Sequence, residues 1–463
     1  MTEDNKTLRE LISVTPINSD LISARLSIKK GEQWAFIGPN GCGKTFLSSL
    51  ISGKIRQNDW QIEYDFISKR PLYENVKVLQ FKDIYTVSES GKMYYQQRFN
   101  SAENDYPPVS DFLKKYGDEV AIHSLSVRFG IEDLLDKPVI QLSSGELRKV
   151  HIIRVLLGNP EIIILDNPYI GLDVGSRILL DETLQSIINS GKTQIILLLS
   201  DPSDLPQYIT NVLEINKNNG YNEKKSLVLP EESLPTEDKA NYENVIEMEH
   251  INIQYGGRTI LKDLNWTVKR GEKWALLGEN GSGKSTLLSL VCADNPQGYA
   301  NSFSLFGRKR GSGESIWEIK RRIGYVSPEM HFYFNLEQTC IEVVASGFFD
   351  TQGLFRKCNP EQLDRAWQWI RVFGAEYLAE KPFLKTSFGE QRLILLVRAF
   401  VKNPDLLVLD EPFHGLDKKN KEIASEIIEN YCRSDSKTFI FVSHYEAEIL
   451  PCISLIKILK KQI

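Results

Sequence analysis

Residues 38–45 read GPNGCGKT and residues 278–285 read GENGSGKS, so the pattern G-x-x-x-x-G-K-[S/T] occurs twice, 240 positions apart. The upstream residues Trp34 and Trp274 keep the same offset. Each copy follows an apolar run predicted as a strand and precedes an apolar run predicted as a helix. Two matches in this context predict two phosphate-binding loops, one in each half of a duplicated chain.

The composition is that of a globular protein with two domains. The chain has 463 residues, of which 41% are apolar and 25% charged, and a formal net charge of −5. This length exceeds a single ordinary core, and the mild acidic balance argues against a dedicated nucleic-acid binder. No apolar run approaches the roughly 20 residues that span a bilayer, the N-terminus has no apolar export segment, and the six cysteines show no C-x-x-C spacing. These features predict a cytoplasmic chain without an intrinsic membrane segment.

The order of apolar and polar stretches predicts an α/β fold in each half. Short β-branched runs alternate with amphipathic helical stretches, which is typical of a mainly parallel central sheet. A helical subdomain is predicted at about 106–135 and at about 337–380. The predicted boundaries are a first nucleotide-binding domain at 1–215, a linker at 216–244 rich in Asn, Lys and Glu, and a second nucleotide-binding domain at 245–463.

The two glycine-rich loops contain the predicted phosphate ligands. Glycines let successive backbone N–H groups point at phosphate oxygens at the positive end of a helix. The lysine of each loop should reach the β and γ phosphates of ATP, and the hydroxyl that follows it should bind Mg²⁺. The predicted nucleotide contacts are Gly38, Asn40, Gly41, Gly43, Lys44 and Thr45 in the first half, and Gly278, Asn280, Gly281, Gly283, Lys284, Ser285 and Thr286 in the second.

A second motif in each half is a predicted apolar strand that ends in an aspartate, Asp166 in the first half and Asp410 in the second. Parallel strands end at one edge of a sheet, so each acidic side chain should lie beside the phosphate loop of its own half. We therefore predict that magnesium is bound by Thr45 and Asp166 in the first half, and by Ser285 and Asp410 in the second.

The residue after each aspartate distinguishes the halves. It is Glu411 in the second half, where a carboxylate can polarise the attacking water, and Asn167 in the first. An amide cannot accept a proton as a carboxylate does, and the loss of such a general base costs roughly 10²–10⁴ in rate. The sequence therefore predicts that the two sites differ in hydrolysis.

A third motif, LSSGE at 142–146 and TSFGE at 386–390, begins 20 residues before each acidic strand. Alone, a serine and a glycine before an apolar helix indicate only an N-cap. With the other two motifs, in this order and twice, the chain resembles the ATP-binding cassette (ABC) ATPases over essentially its whole length. The resemblance implies two tandem ABC nucleotide-binding domains of the P-loop NTPase fold, ATP and Mg²⁺ as ligands, and hydrolysis of ATP to ADP and phosphate.

The resemblance also implies an arrangement of the two domains. ABC cassettes face each other head to tail, here as an intramolecular pseudo-dimer in a monomeric chain, and ATP binding and hydrolysis drive their closure and opening. Each nucleotide is then completed by the signature segment of the other half. The implied contacts are Ser143, Gly145 and Glu146 for the nucleotide at Lys284, and Ser387, Gly389 and Glu390 for the nucleotide at Lys44.

Further positions follow from the resemblance, and most departures affect one site. The aromatic residue that stacks on adenine corresponds to Tyr255, and the 240-residue offset gives Thr15 as its counterpart. The histidine that holds the γ-phosphate corresponds to His444, with Asp201 as its counterpart. In the second signature segment, Phe388 stands where the family has glycine.

One departure lies in the second half instead. The glutamine that contacts the metal in the family corresponds to Gln80 in the first half but to Pro328 in the second. In the family this glutamine also reports to the membrane subunit, so its loss counts against conventional coupling to a transporter. The departures together predict one hydrolytic site and one site that binds ATP but scarcely hydrolyses it. The predicted catalytic residues of the hydrolytic site are Lys284, Asp410, Glu411 and His444.

Residues 295–320 are similar to the same stretch of one group of twin-cassette ABC ATPases, whose naming links it to molybdate uptake and to photorepair. Three functional classes stay open. The first is an ATP-driven switch or regulator in the cytoplasm, and the second is the ATP-binding subunit of an importer for molybdate or a related oxyanion, held by a permease at the inner face of the membrane. The third, a ribosome-associated twin-cassette ATPase, is disfavoured by the short linker and the single glutamate. A basic cluster at 308–310 and 320–322 adds nucleic acid or another polyanion as a partner, against the simpler view of a solvated insertion.

Overall fold

The computed structural model describes residues 9–17, 21–22, 24–80, 107–139, 142, 144–170, 172, 174–215, 229–230, 242–255, 258–279, 281–328, 330, 334, 337–444 and 448–461. These residues form two compact units, the first ending at residue 215 and the second beginning at residue 229. The predicted linker falls almost entirely outside the described residues, so the predicted domain boundaries stay a prediction.

The first unit contains eight strands and six α-helices among its described residues. They are β1 (Glu10–Pro16), β2 (Leu26–Lys29), β3 (Trp34–Ile37), α1 (Lys44–Ile51), β4 (Trp60–Tyr64), α2 (Leu72–Asn75), β5 (Val76–Gln80), α3 (Val109–Lys114), α4 (Glu119–Phe129), α5 (Ser144–Leu156), β6 (Ile162–Asp166), α6 (Val174–Asn189), β7 (Gln194–Leu199) and β8 (Asn211–Glu214).

The second unit contains nine strands and six α-helices among the residues described there. They are β9 (Asn244–Tyr255), β10 (Arg258–Lys269), β11 (Lys273–Leu277), α7 (Lys284–Val291), β12 (Phe303–Leu305), β13 (Arg308–Lys309), α8 (Ile316–Arg321), β14 (Ile323–Val326), α9 (Cys340–Ala345), α10 (Pro360–Val372), α11 (Phe388–Phe400), β15 (Leu406–Asp410), α12 (Lys418–Cys432), β16 (Thr438–Val442) and β17 (Leu455–Ile458).

Each unit has a five-stranded parallel sheet, and the strand order is the same in both. It is β5-β6-β7-β3-β8 in the first unit and β14-β15-β16-β11-β17 in the second. The apolar runs before the phosphate loops form β3 and β11, and the runs that end in aspartate form β6 and β15. The predicted mainly parallel sheets are confirmed. Because all five strands of a sheet run in one direction, both motifs of a unit lie at its carboxyl edge.

Side chains of the parallel strands alternate between two hydrophobic layers. In β6, Ile163 and Leu165 pack into one layer, and Ile162 and Ile164 pack into the other. Since both faces of the sheet are buried, these strands are continuous apolar runs rather than alternating ones. The buried run fixes the position of the aspartate that ends it.

Antiparallel strands and helices complete each unit. The antiparallel sheets are β2-β1-β4 in the first unit and β10-β9-β12-β13 in the second. The predicted helical subdomains are confirmed, because α3 and α4 lie in the first such region, and α9 and α10 in the second. Within the described residues, no helix combines the length and apolarity that crossing a lipid bilayer requires.

The duplication extends to the turn before the central strand. Trp34 Nε1 donates a 3.0 Å hydrogen bond to the carboxylate of Glu32, and Trp274 Nε1 donates a 2.9 Å bond to that of Glu272. The same two contacts therefore lead the chain into each phosphate loop.

Candidate nucleotide-binding sites

Each phosphate loop joins the central strand to a helix with an open first turn. The helices α1 and α7 begin at Lys44 and Lys284, and no described side chain caps either N-terminus. The capping positions, Gly43 and Gly283, have φ angles of 108° and 96°, which glycine adopts without strain. A helix leaves its first N–H groups without helical partners, so this geometry fits a phosphate group.

The first glycine of each loop is required by a close backbone contact. A Cβ atom on Gly38 would lie 2.3 Å from the carbonyl oxygen of Ile215, and one on Gly278 would lie 2.6 Å from that of Leu459. Each of these two partners also donates a 2.8 Å N–H bond to the central strand. Glycine at the two predicted positions therefore lets the loop start beside the edge strand.

The lysines of both loops lie over backbone carbonyl groups. Lys44 Nζ donates to the oxygen of Gly38 at 2.5 Å, and Lys284 Nζ donates to that of Gly278 at 2.5 Å. The carbonyl one residue further along accepts a second bond from each amine, at 2.9 and 3.0 Å. Both amines thus lie within the concave face of a glycine-rich loop, where a point charge can meet phosphate oxygens. Asn280, another predicted contact, lies outside the described residues.

In the first unit the predicted magnesium ligands lie together. Thr45 Oγ1 donates to Asp166 Oδ2 at 3.1 Å, and Gln80 Nε2 donates to the same oxygen at 3.4 Å. Hydroxyl, carboxylate and amide oxygens suit Mg²⁺, so these side chains fit the ion. No cluster of three or more His, Cys, Asp or Glu side chains among the described residues could hold a metal.

The magnesium side of the second unit differs at one position. Asp410 ends β15 and is 7% exposed. The β5–β6 ladder pairs Gln80 with Asp166, and the β14–β15 ladder pairs Val326 with Leu409. The next residue, Ser327, therefore stands opposite Asp410, and the assignment of Pro328 to this position is wrong by one residue. The prediction that the second unit has no glutamine at this position is unaffected, because Ser327 is not a glutamine either.

Glu411 lies between two imidazole rings in the second unit. Its Oε1 is 2.6 Å from His444 Nε2, and its Oε2 is 2.6 Å from His414 Nδ1. Burial raises the pKa of Glu411, but the two histidines outweigh that effect and hold the pKa well below its usual range. The carboxylate is therefore ionised at neutral pH, as a general base must be. His444 Nδ1 is also 3.5 Å from Lys284 Nζ.

Asn167 occupies the same backbone position in the first unit. Both Asn167 and Glu411 have a φ angle of 48°, so the two positions differ in side chain and share this backbone conformation. Asn167 Nδ2 donates to Asp166 Oδ1 at 3.0 Å, and its Oδ1 accepts from Ser200 Oγ at 3.1 Å. Its amide is thus hydrogen-bonded at both ends and has no basic oxygen to accept a proton from water.

The sheet register corrects the counterpart of His444. The strands β15 and β16 pair Asp410 with Val442, and β6 and β7 pair Asp166 with Leu198. Two residues after each of these partners come His444 and Ser200, so Ser200 is the counterpart and the assignment of Asp201 is wrong. Asp201 instead accepts hydrogen bonds from Ser203 and caps a short 3-10 turn.

The register also corrects the counterpart of Tyr255. Met248 pairs with Trp266 in the second unit, and Val14 pairs with Leu26 in the first. The offset along β1 and β9 is therefore 234, because the segment between the paired strands is six residues longer in the second unit. Thr15 is thus not the counterpart of Tyr255. An offset of 234 gives residue 21, which lies beyond the end of β1. Residues 15–25 contain no aromatic side chain, so the predicted lack of an adenine platform keeps its support.

The signature segment of the second unit forms a capped helix start. Ser387 N donates to Glu390 Oε2 at 2.7 Å, and Ser387 Oγ accepts from Glu390 N at 3.4 Å. Gly389 lies in the first turn of α11. In the first unit, Gly145 and Glu146 lie in the first turn of α5, and Ser143 lies outside the described residues. The nucleotide contacts predicted for these signature residues stay predictions.

Sequence reasoning missed two residues around Glu411. His414 follows it by three positions, and the spacing E-x-x-H was a usable signal because three residues make one turn. Arg392 is 2% exposed, and it donates to the carbonyl oxygens of Glu411 at 2.9 Å and Ser327 at 2.7 Å. Burial lowers the pKa of Arg392 to about 10. Nothing in the sequence marks this arginine, since its partners are distant along the chain.

The predicted basic cluster is largely neutralised by carboxylates. The ion pairs are Arg308–Glu318 at 3.3 Å, Arg310–Glu314 at 2.5 Å, Lys320–Asp294 at 2.5 Å and Arg322–Asp405 at 2.7 Å. Four of the six basic residues thus have an acidic partner. The cluster therefore offers little uncompensated positive charge to a polyanion.

Comparison with known proteins agrees with this geometry. Residues 21–170 and 261–414 match the ABC transporter family. The chain is 35% identical over 460 residues to the ABC transporter ATP-binding protein ModF of Escherichia coli, a match that covers 93% of this chain and 91% of that protein. It is 33% identical over 471 residues to an uncharacterized ABC transporter ATP-binding protein of Schizosaccharomyces pombe, covering 94% of this chain and 96% of the relative.

A solved structure supports the fold over the same length. It is titled a model of ribosome-bound archaeal Pelota and ABCE1, and it aligns with a TM-score of 0.55 and 18% identity, covering 93% of this chain and 73% of that one. At this identity the likeness concerns the fold alone. The similarity to ModF agrees with the resemblance seen at residues 295–320.

Proposed function

This chain belongs to the ABC transporter ATP-binding protein family, and we propose that it is an asymmetric ATPase. It is a twin-cassette ABC protein similar to ModF. In our proposal the second cassette hydrolyses ATP, and the first cassette retains ATP with little turnover. The observation that carries the proposal is the pair of contacts of Glu411, which Asn167 lacks.

The difference between these two side chains is chemical. A carboxylate whose pKa is held low by His414 and His444 is charged, and it can accept a proton from an attacking water. The amide of Asn167 is neutral and is not basic enough to accept a proton from water. Its hydrogen bonds to Asp166 and Ser200 hold the side chain in place. Hydrolysis therefore belongs to the cassette that contains Glu411.

The remaining groups of the second cassette fit supporting roles. Lys284 is placed to balance the charge of the β and γ phosphates, and His444 lies between this amine and Glu411. Mg²⁺ bound to Asp410 and Ser285 would supply charge neutralisation for the phosphates. These residues bind and orient the substrate, and Glu411 takes the proton.

In the first cassette the phosphate loop and the magnesium ligands are retained. Lys44, Thr45 and Asp166 keep the positions that bind a nucleotide. The first cassette therefore holds ATP, and turnover in the second sets the pace of the closure and opening that the family resemblance implies. We place this cycle in the cytoplasm, where ATP and Mg²⁺ are available.

The test compares the ATPase activity of two variants. One substitution converts the carboxylate of Glu411 to an amide, and the other keeps an amide at position 167. Glu411→Gln keeps the shape of the side chain and should lower steady-state ATPase activity by roughly 10²–10⁴, the size of a lost general base. The matched control, Asn167→Gln at the same position of the other cassette, should change the activity by less than about twofold. Near wild-type hydrolysis by the Glu411→Gln protein would refute the proposal.

A further inference from the structure

We propose that His414 is a positioning residue for the Glu411 carboxylate, a role that rests on the proposed function of the second cassette. Its Nδ1 atom lies 2.6 Å from Glu411 Oε2. The side chains are 16% and 11% exposed respectively, so water screens this contact only weakly.

Each of the two histidines lies beside a different oxygen of the Glu411 carboxylate. His444 contacts Oε1 and His414 contacts Oε2, each at 2.6 Å. A glutamate side chain has three rotatable bonds, and one contact at one oxygen leaves the carboxylate free to swing about it. Close approach of an imidazole nitrogen to each oxygen restricts the rotation of the carboxylate, and catalysis by a general base depends on that geometry.

The backbone that supports His414 is itself held in place. His414 N donates to the Glu411 carbonyl oxygen at 3.2 Å, which closes the turn between the two residues. Arg392 Nε donates to the His414 carbonyl oxygen at 3.3 Å, and the same guanidinium donates to that of Glu411. Phe413 packs against Phe441, with ring centroids 5.6 Å apart. The imidazole is therefore presented from a rigid turn.

The first cassette gives an internal comparison. Asn167 and Glu411 are 244 positions apart, and the residue 244 positions before His414 is Ile170. The isoleucine side chain has no polar atom that could contact a carboxylate. The first cassette also has an amide, and not a carboxylate, at Asn167. Within this chain the imidazole thus occurs with the carboxylate and is absent where the carboxylate is absent.

The experiment measures ATPase kinetics for four variants. They are His414→Ala, His414→Asn, Glu411→Gln and the double variant with both Glu411→Gln and His414→Ala. We expect His414→Ala to lower kcat by about 10- to 100-fold and to leave KM within about twofold, because the base is misplaced while the phosphate loop is intact. His414→Asn keeps an N–H donor near the carboxylate and should recover at least part of kcat. In the Glu411→Gln background, His414→Ala should have no further effect, since its partner is already lost.

The control is Ile170→Ala, which should leave kcat unchanged, and thermal unfolding checks that each variant is folded. An unchanged kcat in His414→Ala, or an effect that multiplies with that of Glu411→Gln, would overturn the role of His414 and leave the proposed function intact. High activity of Glu411→Gln would overturn both.

Discussion

Ser200 Oγ donates a 3.1 Å hydrogen bond to Asn167 Oδ1, at the position in the sheet where His444 and Glu411 are 2.6 Å apart in the other cassette. The first cassette thus has a neutral pair where the second has an ionisable pair, and Asn167 and Glu411 share a φ angle of 48°. Asn167 is therefore hydrogen-bonded through both its amide nitrogen, to Asp166, and its amide oxygen, to Ser200. Such a pair suits a site that must hold a nucleotide without activating water.

The two phosphate-loop lysines should have separable effects. Lys284→Ala removes the amine beside the hydrolytic carboxylate and should lower ATPase activity by roughly 10²-fold or more. Lys44→Ala should instead reduce the nucleotide that stays bound after gel filtration, by roughly half, because each loop holds its own ATP. Turnover and bound nucleotide are measured on the same preparations. Equal loss of turnover in both variants would contradict the division of roles.

The N-cap of α11 should contribute to stability and to nucleotide binding. Ser387→Ala removes the hydroxyl that accepts from Glu390 N, and such losses cost about 1 kcal/mol. The matched control is Asn359→Ala at α10, where Asn359 Oδ1 accepts from Gln362 N at 2.7 Å. Denaturant unfolding should give similar costs for both. Only Ser387→Ala should also weaken ATP binding, because the family resemblance assigns this serine a nucleotide contact; equal binding in both would contradict that contact.

Lys402 should make stability depend on pH in the alkaline range. Its Nζ atom donates to the carbonyl oxygen of Lys320 at 2.7 Å and pairs with Asp350 in a buried setting. Burial lowers the pKa of Lys402 from 10.5 to about 8, against the opposing effect of Asp350. Between these two values the unfolded chain keeps a proton that the folded chain has released. The free energy of unfolding should therefore rise with pH across this window, by roughly 3 kcal/mol at most.

The measurement is the free energy of unfolding at about pH 7.5 and at the alkaline end of that window. The rise should be absent in Lys402→Met, whatever the overall stability of that variant. Lys357→Met replaces an exposed lysine and should keep the wild-type dependence on pH. The same pH dependence in Lys402→Met as in the wild type would show that Lys402 does not titrate in this range.

Much of the fold could be predicted from local pattern. The apolar runs at 162–166 and 406–410 are the strands β6 and β15 without a shift of either end. A strand buried on both faces must be apolar throughout, and the first charged residue marks its end. The phosphate loops could be placed for a similar reason, since only glycine fits the close contacts and positive φ angles found there.

Equivalent residues in the two halves could not be identified by adding one constant number of positions. The offset is 240 at the phosphate loops, 234 along β1 and β9, and 244 at Asn167 and Glu411. Insertions in connecting segments change the count without changing the sheet. Hydrogen-bond register alone identified Ser200 and Ser327 as the residues in the equivalent positions.

The sequence by itself determined that two phosphate loops begin two parallel-sheet domains and that the aspartate after the acidic strand is followed by a glutamate in the second and by an asparagine in the first. Those features depend on residue type and on neighbours a few positions away. Only the tertiary structure decided that His444 lies beside the carboxylate of Glu411 and that Arg392 donates to the carbonyl oxygens of the turn at Glu411 and His414. The contacts of His444 and Arg392 with Glu411 join residues far apart along the chain, and their distances follow from how strands and helices pack rather than from any local pattern.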